Sequence, residues 1–421
     1  MPRRVVVTGL GFICSIGNSR GEVSAALRAL RHGFAPFDFV PGTELPVKLA
    51  GTIKGFDLAS SEWPAWKLPA GAPVGREHLR SLAPHGVYAM CALHEAIRDA
   101  GLTPADLANE DTGLYAASAG SPQLARHHLN NMHEAGGRRS DPMGVVSSAP
   151  GTLNFNLGAF FGIRGANCGF VSACASSAHA LGYACDDLML GRLRRAVVVG
   201  AEDCGVDSLL PFAGMRALTP NPDPATASRP FDAARDGFVG TGGACFLILE
   251  EAEAARARGA PLLAEIAGWG QAADGYNVAI SHPEGRGLAR AMQRTLEATG
   301  WRPEEVEYVN AHATSTPIGD RSEALALKAV FGTGERTPLV SSTKGLTGHA
   351  LSMAGALEAA FCALSISEGF TPGSAGLQNP DPVCDGLRLV RETRPTGPRR
   401  VLSNSSGFGG ANVVVALAAL P

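Results

Sequence analysis

Val171-Ser-Ala-Cys-Ala-Ser-Ser-Ala-His-Ala-Leu-Gly-Tyr-Ala184 is the stretch around which the chain is organised. Cys168 to Ala173 reads as a short buried strand of small residues. Ala175 to Leu190 reads as a mostly buried helix, with Ala178, Leu181, Tyr183, Ala184, Leu188 and Leu190 on its apolar face. Gly191 then supplies a stop signal. Cys174 therefore falls at the turn from strand into helix N-terminus, where unpaired N–H groups and the helix dipole favour a thiolate. Small neighbours at Ala173, Ala175 and Ser176 leave room for a substrate carbonyl. Taken alone, this stretch favours a plainer reading, a buried cysteine packed as a small hydrophobe. The rest of the chain decides between the two.

Length and composition set the bounds. A chain of 421 residues suits one large domain or two fused ones. At 45% hydrophobic and 18% charged residues it can build a large core. A net charge of −3 gives no support for a nucleic-acid surface. The nine cysteines are scattered singly, an odd count without a C-x-x-C pair, which argues against a disulfide framework or zinc ribbon and for a reducing compartment. Met1-Pro-Arg-Arg runs directly into the strand-like Val5-Val-Val-Thr-Gly9, without the apolar core of a signal peptide. No uninterrupted apolar run is of membrane-spanning length. The expectation is a soluble cytoplasmic protein without nucleic-acid or membrane partners.

Strand and helix patterns alternate along the chain. Val5 to Val7 predicts a strand, followed by a tight turn at Gly9-Leu-Gly11; Leu82 to Ala100 predicts a helix; Gln123 to Gly137 reads as an excursion with three histidines. Ala196 to Gly200 and Ala244 to Leu249 predict apolar strands. Later, Leu262 to Ala267 and Val306 to Asn310 predict strands, and Gly287 to Gly300, Arg321 to Phe331 and Leu351 to Glu368 predict helices. Gly240-Thr-Gly-Gly-Ala244 and Gly407-Phe-Gly-Gly-Ala411 echo one another, each leading into a strand near the end of an αβ-rich half. The echo implies two related α/β halves facing each other, residues 1–255 and 256–421. Because these glycines precede strands, a dinucleotide-binding loop fails its context test.

Three further stretches join Cys174: Asn310-Ala-His312-Ala-Thr314-Ser-Thr316-Pro-Ile-Gly-Asp320, Ser341-Ser-Thr-Lys344-Gly-Leu-Thr-Gly-His349, and Ser403-Asn-Ser-Ser-Gly407-Phe-Gly-Gly-Ala-Asn412. Singly, a loop histidine is a hydrogen-bonder, Lys344 a solvated cation and the glycines a turn. As a set they are the parts for thioester chemistry. A thiolate forms an acyl-enzyme, two imidazoles hydrogen-bond an enolate oxygen, and backbone N–H groups steady an oxyanion.

At this point the chain resembles the β-ketoacyl-acyl carrier protein synthases of the thiolase superfamily, closest to the elongating type II enzymes. The nucleophile motif matches Ser172-Ala-Cys174-Ala-Ser-Ser177, and H-G-T-S-T-P-x-G-D matches His312 to Asp320 with Ala313 for Gly. The family's lysine and second histidine match Lys344 and His349, and N-S-F-G-F-G-G-T-N matches Asn404 to Asn412. R-P-F-D-x-x-R-D-G-F-V matches Arg229 to Val239, and R-R-V-V-V-T-G-L-G matches the N-terminus.

The resemblance implies a thiolase-like fold, with two duplicated α/β halves stacked as α-β-α-β-α. The half 1–255 would carry Cys174, and the half 256–421 both histidines and the Gly-rich loop. It implies decarboxylative condensation of malonyl-carrier protein with an acyl group on Cys174, with His312 and His349 holding the enolate. Lys344 would keep the histidines neutral, and Asp320, Glu323 and Glu358 would balance and orient that lysine. Phe408 would be the gate and its N–H an oxyanion donor beside that of Cys174. Thr314 and Thr316 would bind pantetheine. Arg216 would dock an acidic carrier protein, with Arg76 and Arg80 as weaker matches. No cofactor or metal is implied. The partner is acyl carrier protein, with a homodimer or a chain-length-factor-like second subunit. Chain-length factors lack the cysteine, so Cys174 speaks against a silent subunit; a specialised polyketide or polyene ketosynthase is the runner-up. Three departures bear on the substrate. G-H-x-x-G-A-A-G reads Gly348-His-Ala-Leu-Ser-Met-Ala-Gly355, the first Phe of F-G-F is Ser406, and G-E-G-A-G reads Gly240-Thr-Gly-Gly-Ala244. Ser406 and Met353 together imply reshaped pocket walls or compensated packing.

Overall fold

The computed structural model describes residues 3–139 and 141–420; Met1 and Pro2, at the head of the N-terminal motif, lie outside them. The first part of the chain supplies strands β1 (Val5–Ile13), β2 (Phe34–Pro36), β3 (Leu49–Gly51), β4 (Thr112–Ala117), β5 (Asn167–Phe170), β6 (Arg195–Glu202) and β7 (Gly243–Glu251). The second supplies β8 (Ala264–Ala273), β9 (Tyr308–Asn310), β10 (Leu339–Ser341), β11 (Arg388–Leu389), β12 (Arg400–Gly407) and β13 (Ala411–Ala418). β2 and β3 form a separate ribbon. The others run β1-β7-β6-β4-β5 and β8-β13-β12-β9-β10-β11. Through the first five strands of each run the senses are the same: antiparallel, antiparallel, parallel, parallel. The two Gly-rich echoes lead into β7 and β13, which hold equivalent places in the two runs. Antiparallel pairing of Val5–Val7 with Ala264–Ile266 joins both runs into one eleven-stranded ladder.

The period of two along each strand assigns its faces. Val197, Val199, Phe246 and Ile248 pack with the helix Pro84–Asp99 on one outer side. Ala196, Val198, Leu247 and Leu249 turn the other way, toward the helices Ser176–Met189 and Ala354–Glu368. Val413, Val415 and Leu417 meet the same two helices from the second sheet. Val414, Ala416 and Val309 face the outer helices Arg286–Thr299 and Pro317–Phe331. The result is the α-β-α-β-α stack expected of a thiolase-like fold, with the central helix pair shielded on both sides by sheet.

Three local expectations need correction. Gly9-Leu-Gly11 is not a turn: it continues β1, and its glycines lie under the helix Pro84–Asp99. A Cβ at Gly11 would strike the carbonyl oxygen of Ala92, and one at Gly9 that of Ala96. Cys168 to Ala173 is not a buried strand. β5 stops at Phe170 and forms the sheet edge, with Val171 70% exposed. The excursion at Gln123 to Gly137 is largely a helix, Pro122–Ala135, whose first turn is capped by Ser121 Oγ. The helix expected at Leu351 to Glu368 is present, and although its length and composition would suffice to cross a membrane, 83% of it is buried in the protein, where it includes the central helix Ala354–Glu368.

The glycine contacts generate a test. Gly11→Ala forces β1 away from the backbone of Pro84–Asp99, an overpacking cost of about 1–3 kcal/mol or more. A clear fall in melting temperature is expected, and an unchanged melting curve would show that this close approach is absent.

Candidate active site

The turn after β5 is tightened by its own side chains. Ser176 Oγ accepts from Ser172 N at 2.8 Å and donates to Ala173 O at 2.6 Å. Ala173 takes a positive φ of 50°, sparsely populated for a residue with a Cβ. This bend presents Cys174 two residues ahead of the helix Ser176–Met189. Contrary to the helix-dipole argument, burial dominates at the sulfur. The thiol is pushed up to about 12, with Lys344 pulling in the opposite direction. Cys174 therefore rests as a thiol, and His349 Nε2 stands 3.0 Å from Sγ.

That contact follows from the central helices. Gly355 lies against Ala178 so closely that a Cβ there would stand 2.6 Å from Ala178 N. Ala356 N donates to Ser177 Oγ at 2.9 Å. The two helix starts meet, bringing the segment before Ala354 to the segment before Ser176. His312 arrives from the loop after β9, and Lys344 and His349 from the segment after β10, a parallel neighbour of β9. The carboxyl ends of adjacent parallel strands are where α/β folds gather functional side chains.

The imidazoles of His312 and His349 lie edge to face, centroids 5.2 Å apart at 86°, and Phe238 packs on His349 at 5.2 Å. Burial, reinforced by the Lys344 cation, holds both well below the ordinary histidine value; for His312 the neighbouring His349 adds to this. Lys344 is itself 1% exposed and its Nζ pairs with Glu358 Oε1 on the central helix. Burial raises the Glu358 carboxyl while Lys344 pulls it back. Glu323 takes a different role, accepting from His312 N at 3.0 Å, Ala313 N at 2.6 Å and Asn404 Nδ2 at 2.9 Å. It fixes the His312 loop and feels the Lys344 charge without bonding it. Asp320 does not bond Lys344 either. Its Oδ2 accepts from Phe231 N at 2.8 Å and faces Arg235 Nε at 3.4 Å. Of the three carboxylates grouped around the lysine by resemblance, only Glu358 is hydrogen-bonded to it.

The Gly-rich loop covers this cluster. A Cβ at Gly407 would stand 2.7 Å from Ser172 O and 3.1 Å from Cys174 N, so Phe408 follows directly over the nucleophile turn. Phe408 is 39% exposed and its ring meets Phe212 at 6.1 Å. Thr314 and Thr316 hydroxyls lie 3.1 Å apart beside the His312 loop. Arg216, four residues beyond Phe212, is exposed with φ 54° and has no ion pair among the described residues. Arg76 and Arg80 are exposed, with the Arg76 guanidinium 5.9 Å from the Trp63 ring.

A cavity of about 180 Å³ opens at Cys174, walled by Phe212, Leu351, Phe408, Val171, Glu202 and Ser352. A larger one of about 440 Å³, lined by Phe56, Tyr88 and Cys204, includes neither Cys174 nor the histidines. Glu202 lies two residues beyond the strand expected at Ala196 to Gly200, and no sequence signal singles it out; β6 runs on to include it. Phe238, too, lay unremarked within the matched Arg229-to-Val239 motif. Ser406 and Met353 sit in different surroundings: Ser406 Oγ donates to Asn412 Oδ1 at 2.7 Å, whereas Met353 is fully buried with its backbone against Gly200. Among the described residues no group of three or more metal-ligating side chains gathers.

A buried pair such as Lys344–Glu358 makes a sharp stability prediction. Glu358→Leu alone strands the ammonium and is expected to cost about 3–5 kcal/mol, whereas Lys344→Met with Glu358→Leu recovers most of it. Melting temperatures of the single and double variants measure this, and simple additivity would contradict the pairing.

Comparison with known proteins shows the family. Residues 2–255 match the family model described as beta-ketoacyl synthase, N-terminal domain, and residues 263–378 its C-terminal domain. The chain is 37% identical to 3-oxoacyl-[acyl-carrier-protein] synthase 1 of Haemophilus influenzae, covering 98% of both chains. It is 35% identical to the enzyme of that name from Escherichia coli, covering 99% of this chain and 98% of the other. A solved β-ketoacyl synthase from Burkholderia phymatum superposes with a TM-score of 0.90 at 32% identity, over 100% of both chains. The ishigamide ketosynthase/chain length factor superposes at 0.87 and 29% identity, again over 100% of both. With the matched models spanning most of its length, the chain belongs to the β-ketoacyl synthase family.

Proposed function

We propose that this protein is a β-ketoacyl-acyl carrier protein synthase that extends an acyl chain by two carbons. The observation that carries the reading is His349 Nε2 at 3.0 Å from Cys174 Sγ, inside a cluster with His312 and the buried Lys344–Glu358 pair. Because the resting thiol is protonated, its proton passes to the neutral His349 as sulfur attacks the incoming thioester carbonyl. The bond to pantetheine sulfur breaks, and the departing thiolate takes that proton. Malonyl-carrier protein follows. Its carboxyl leaves as CO2, and the electron pair of that bond becomes an enolate whose oxygen is held by His312 and His349. The enolate carbon attacks the acyl-Cys174 carbonyl, the C–S bond breaks, the Cys174 sulfur departs as a thiolate that takes up a proton from solvent, and a 3-ketoacyl thioester leaves. Backbone N–H groups of Cys174 and Phe408 steady the oxyanion, and Lys344 keeps the imidazoles neutral by like-charge repulsion. Glu358 holds that lysine, Glu323 the His312 loop, and Asp320 the neighbouring arginine.

Thr314 and Thr316 line the entry for pantetheine, and the exposed Arg216, without an ion pair among the described residues, docks an acidic carrier protein. One solved neighbour is a type II PKS acyl-carrier protein in complex with its ketosynthase. The exposed surface beside the edge strand β5, with Val171 just after it 70% exposed and Tyr183 of the helix Ser176–Met189 43% exposed, supports a second copy as partner, or a chain-length-factor-like subunit. We assign the working boundary between the two related halves to 255/256, supported by the repeated strand order, and the location to the cytoplasm. The polyketide alternative stands second, since the relatives named for it are 29% and 26% identical, against 35–37% for the 3-oxoacyl synthases.

The test is residue by residue. Cys174→Ala abolishes covalent acyl loading seen by intact-protein mass spectrometry. His312→Ala and His349→Ala each slow malonyl decarboxylation by roughly 10²–10³, the scale of a lost oxyanion donor. Loading of the Cys174→Ala variant, or wild-type decarboxylation in either histidine variant, contradicts the assignment.

A further inference from the structure

The wall of the Cys174 cavity is mostly apolar. Ser118, Ser176 and Asp207 also line it but are engaged with Gly120, Ala173 and Arg126, and Ser208 is less buried. This leaves Glu202 and Ser352 as its most deeply buried polar pair. Glu202, the last residue of β6, is 1% exposed, and its Oε1 accepts two long backbone bonds, from Ala119 N at 3.3 Å and Ser352 N at 3.2 Å. Among the described residues no hydrogen bond of this kind reaches its Oε2. Ser352 is 5% exposed, and its hydroxyl stands against the Glu202 carboxyl, easing the upward push of burial there, but short of full hydrogen-bond geometry. Both residues line the same cavity as Cys174. In the resembled motif G-H-x-x-G-A-A-G the position of Ser352 is a glycine, so the hydroxyl is a departure from that motif.

An unpartnered buried hydroxyl destabilises a fold unless something completes it. An apolar pocket with a few convergent polar groups is the usual form of a site that reads one polar feature on a ligand. We propose that Glu202 and Ser352 form a hydrogen-bonding subsite selecting an acyl group that carries a hydroxyl. A hydroxyl satisfies both residues, donating to the carboxylate and accepting from the serine, whereas an alkyl chain desolvates both and pairs neither. A glycine at position 352 would offer only half of this pair. The inference rests on Cys174 being the acylated residue.

The experiment is a loading competition read by intact-protein mass spectrometry. Saturated acyl pantetheine thioesters of several lengths compete against hydroxyacyl thioesters of the same length, with the hydroxyl placed at successive carbons. The wild-type chain is expected to favour one hydroxyacyl position by roughly tenfold or more, since a site built around a substrate hydroxyl rejects the analogue lacking it. Ser352→Gly and Ser352→Ala should each bring that ratio toward parity; two variants guard against one misfolding. Cys174 loading with no hydroxyacyl preference at any position overturns the subsite and leaves the proposed function standing. A preference that persists in both Ser352 variants also overturns it. Failure of every thioester to load Cys174 overturns the proposed function and the subsite with it.

Discussion

A lysine and a glutamate buried together between two sheets are the constraint on which the site depends. Taking two charges out of water is costly, and their mutual attraction offsets that cost only when each holds the other in good geometry. Lys344 reaches Glu358 from the segment after β10, while Glu358 comes from the central helix Ala354–Glu368. The pair ties the second sheet to the middle layer. It also leaves a cation next to two desolvated imidazoles, and both effects disfavour a proton on either ring. A neutral imidazole can accept a proton from Cys174 and donate a hydrogen bond to an enolate; an imidazolium can do only the second.

The same layering explains why the parts meet at one place. His312 and the Lys344–His349 segment follow adjacent parallel strands, so their loops emerge at the same sheet end. Cys174 reaches that end from the other sheet, because Gly355 allows the central helices to touch at their starts. Gly407 allows the Gly-rich loop to lie on the nucleophile turn. Small residues at these crossings, rather than any one strong bond, set the distance between sulfur and imidazole.

Much of this was legible beforehand. Alternating strand and helix patterns gave the fold class, and the order of the four polar stretches gave Cys174, His312, Lys344 and His349 as a set. What remained hidden depended on long-range packing. Gly9 and Gly11 look like a turn because glycine frees the backbone, yet they serve close approach to a helix some eighty residues later in sequence. Helix position argued for a thiolate at Cys174, but desolvation, which no local pattern reports, wins. Asp320 and Glu323 share one helix, and only their orientation separates an arginine partner from a backbone loop. The exposed face of β5 reads as buried because a strand of small residues looks the same in the middle of a sheet as at its edge.

The central claim is that the Lys344 cation helps keep both histidines neutral. A histidine-labelled NMR titration of the Lys344→Met/Glu358→Leu double variant, set against the wild type, tests it most directly. In the wild type His312 and His349 should stay neutral well below pH 6.5. In the variant both should titrate at higher pH, moving part of the way toward 6.5 because burial remains. Unchanged titration in a folded double variant would contradict the account, leaving burial alone to explain the neutral pair.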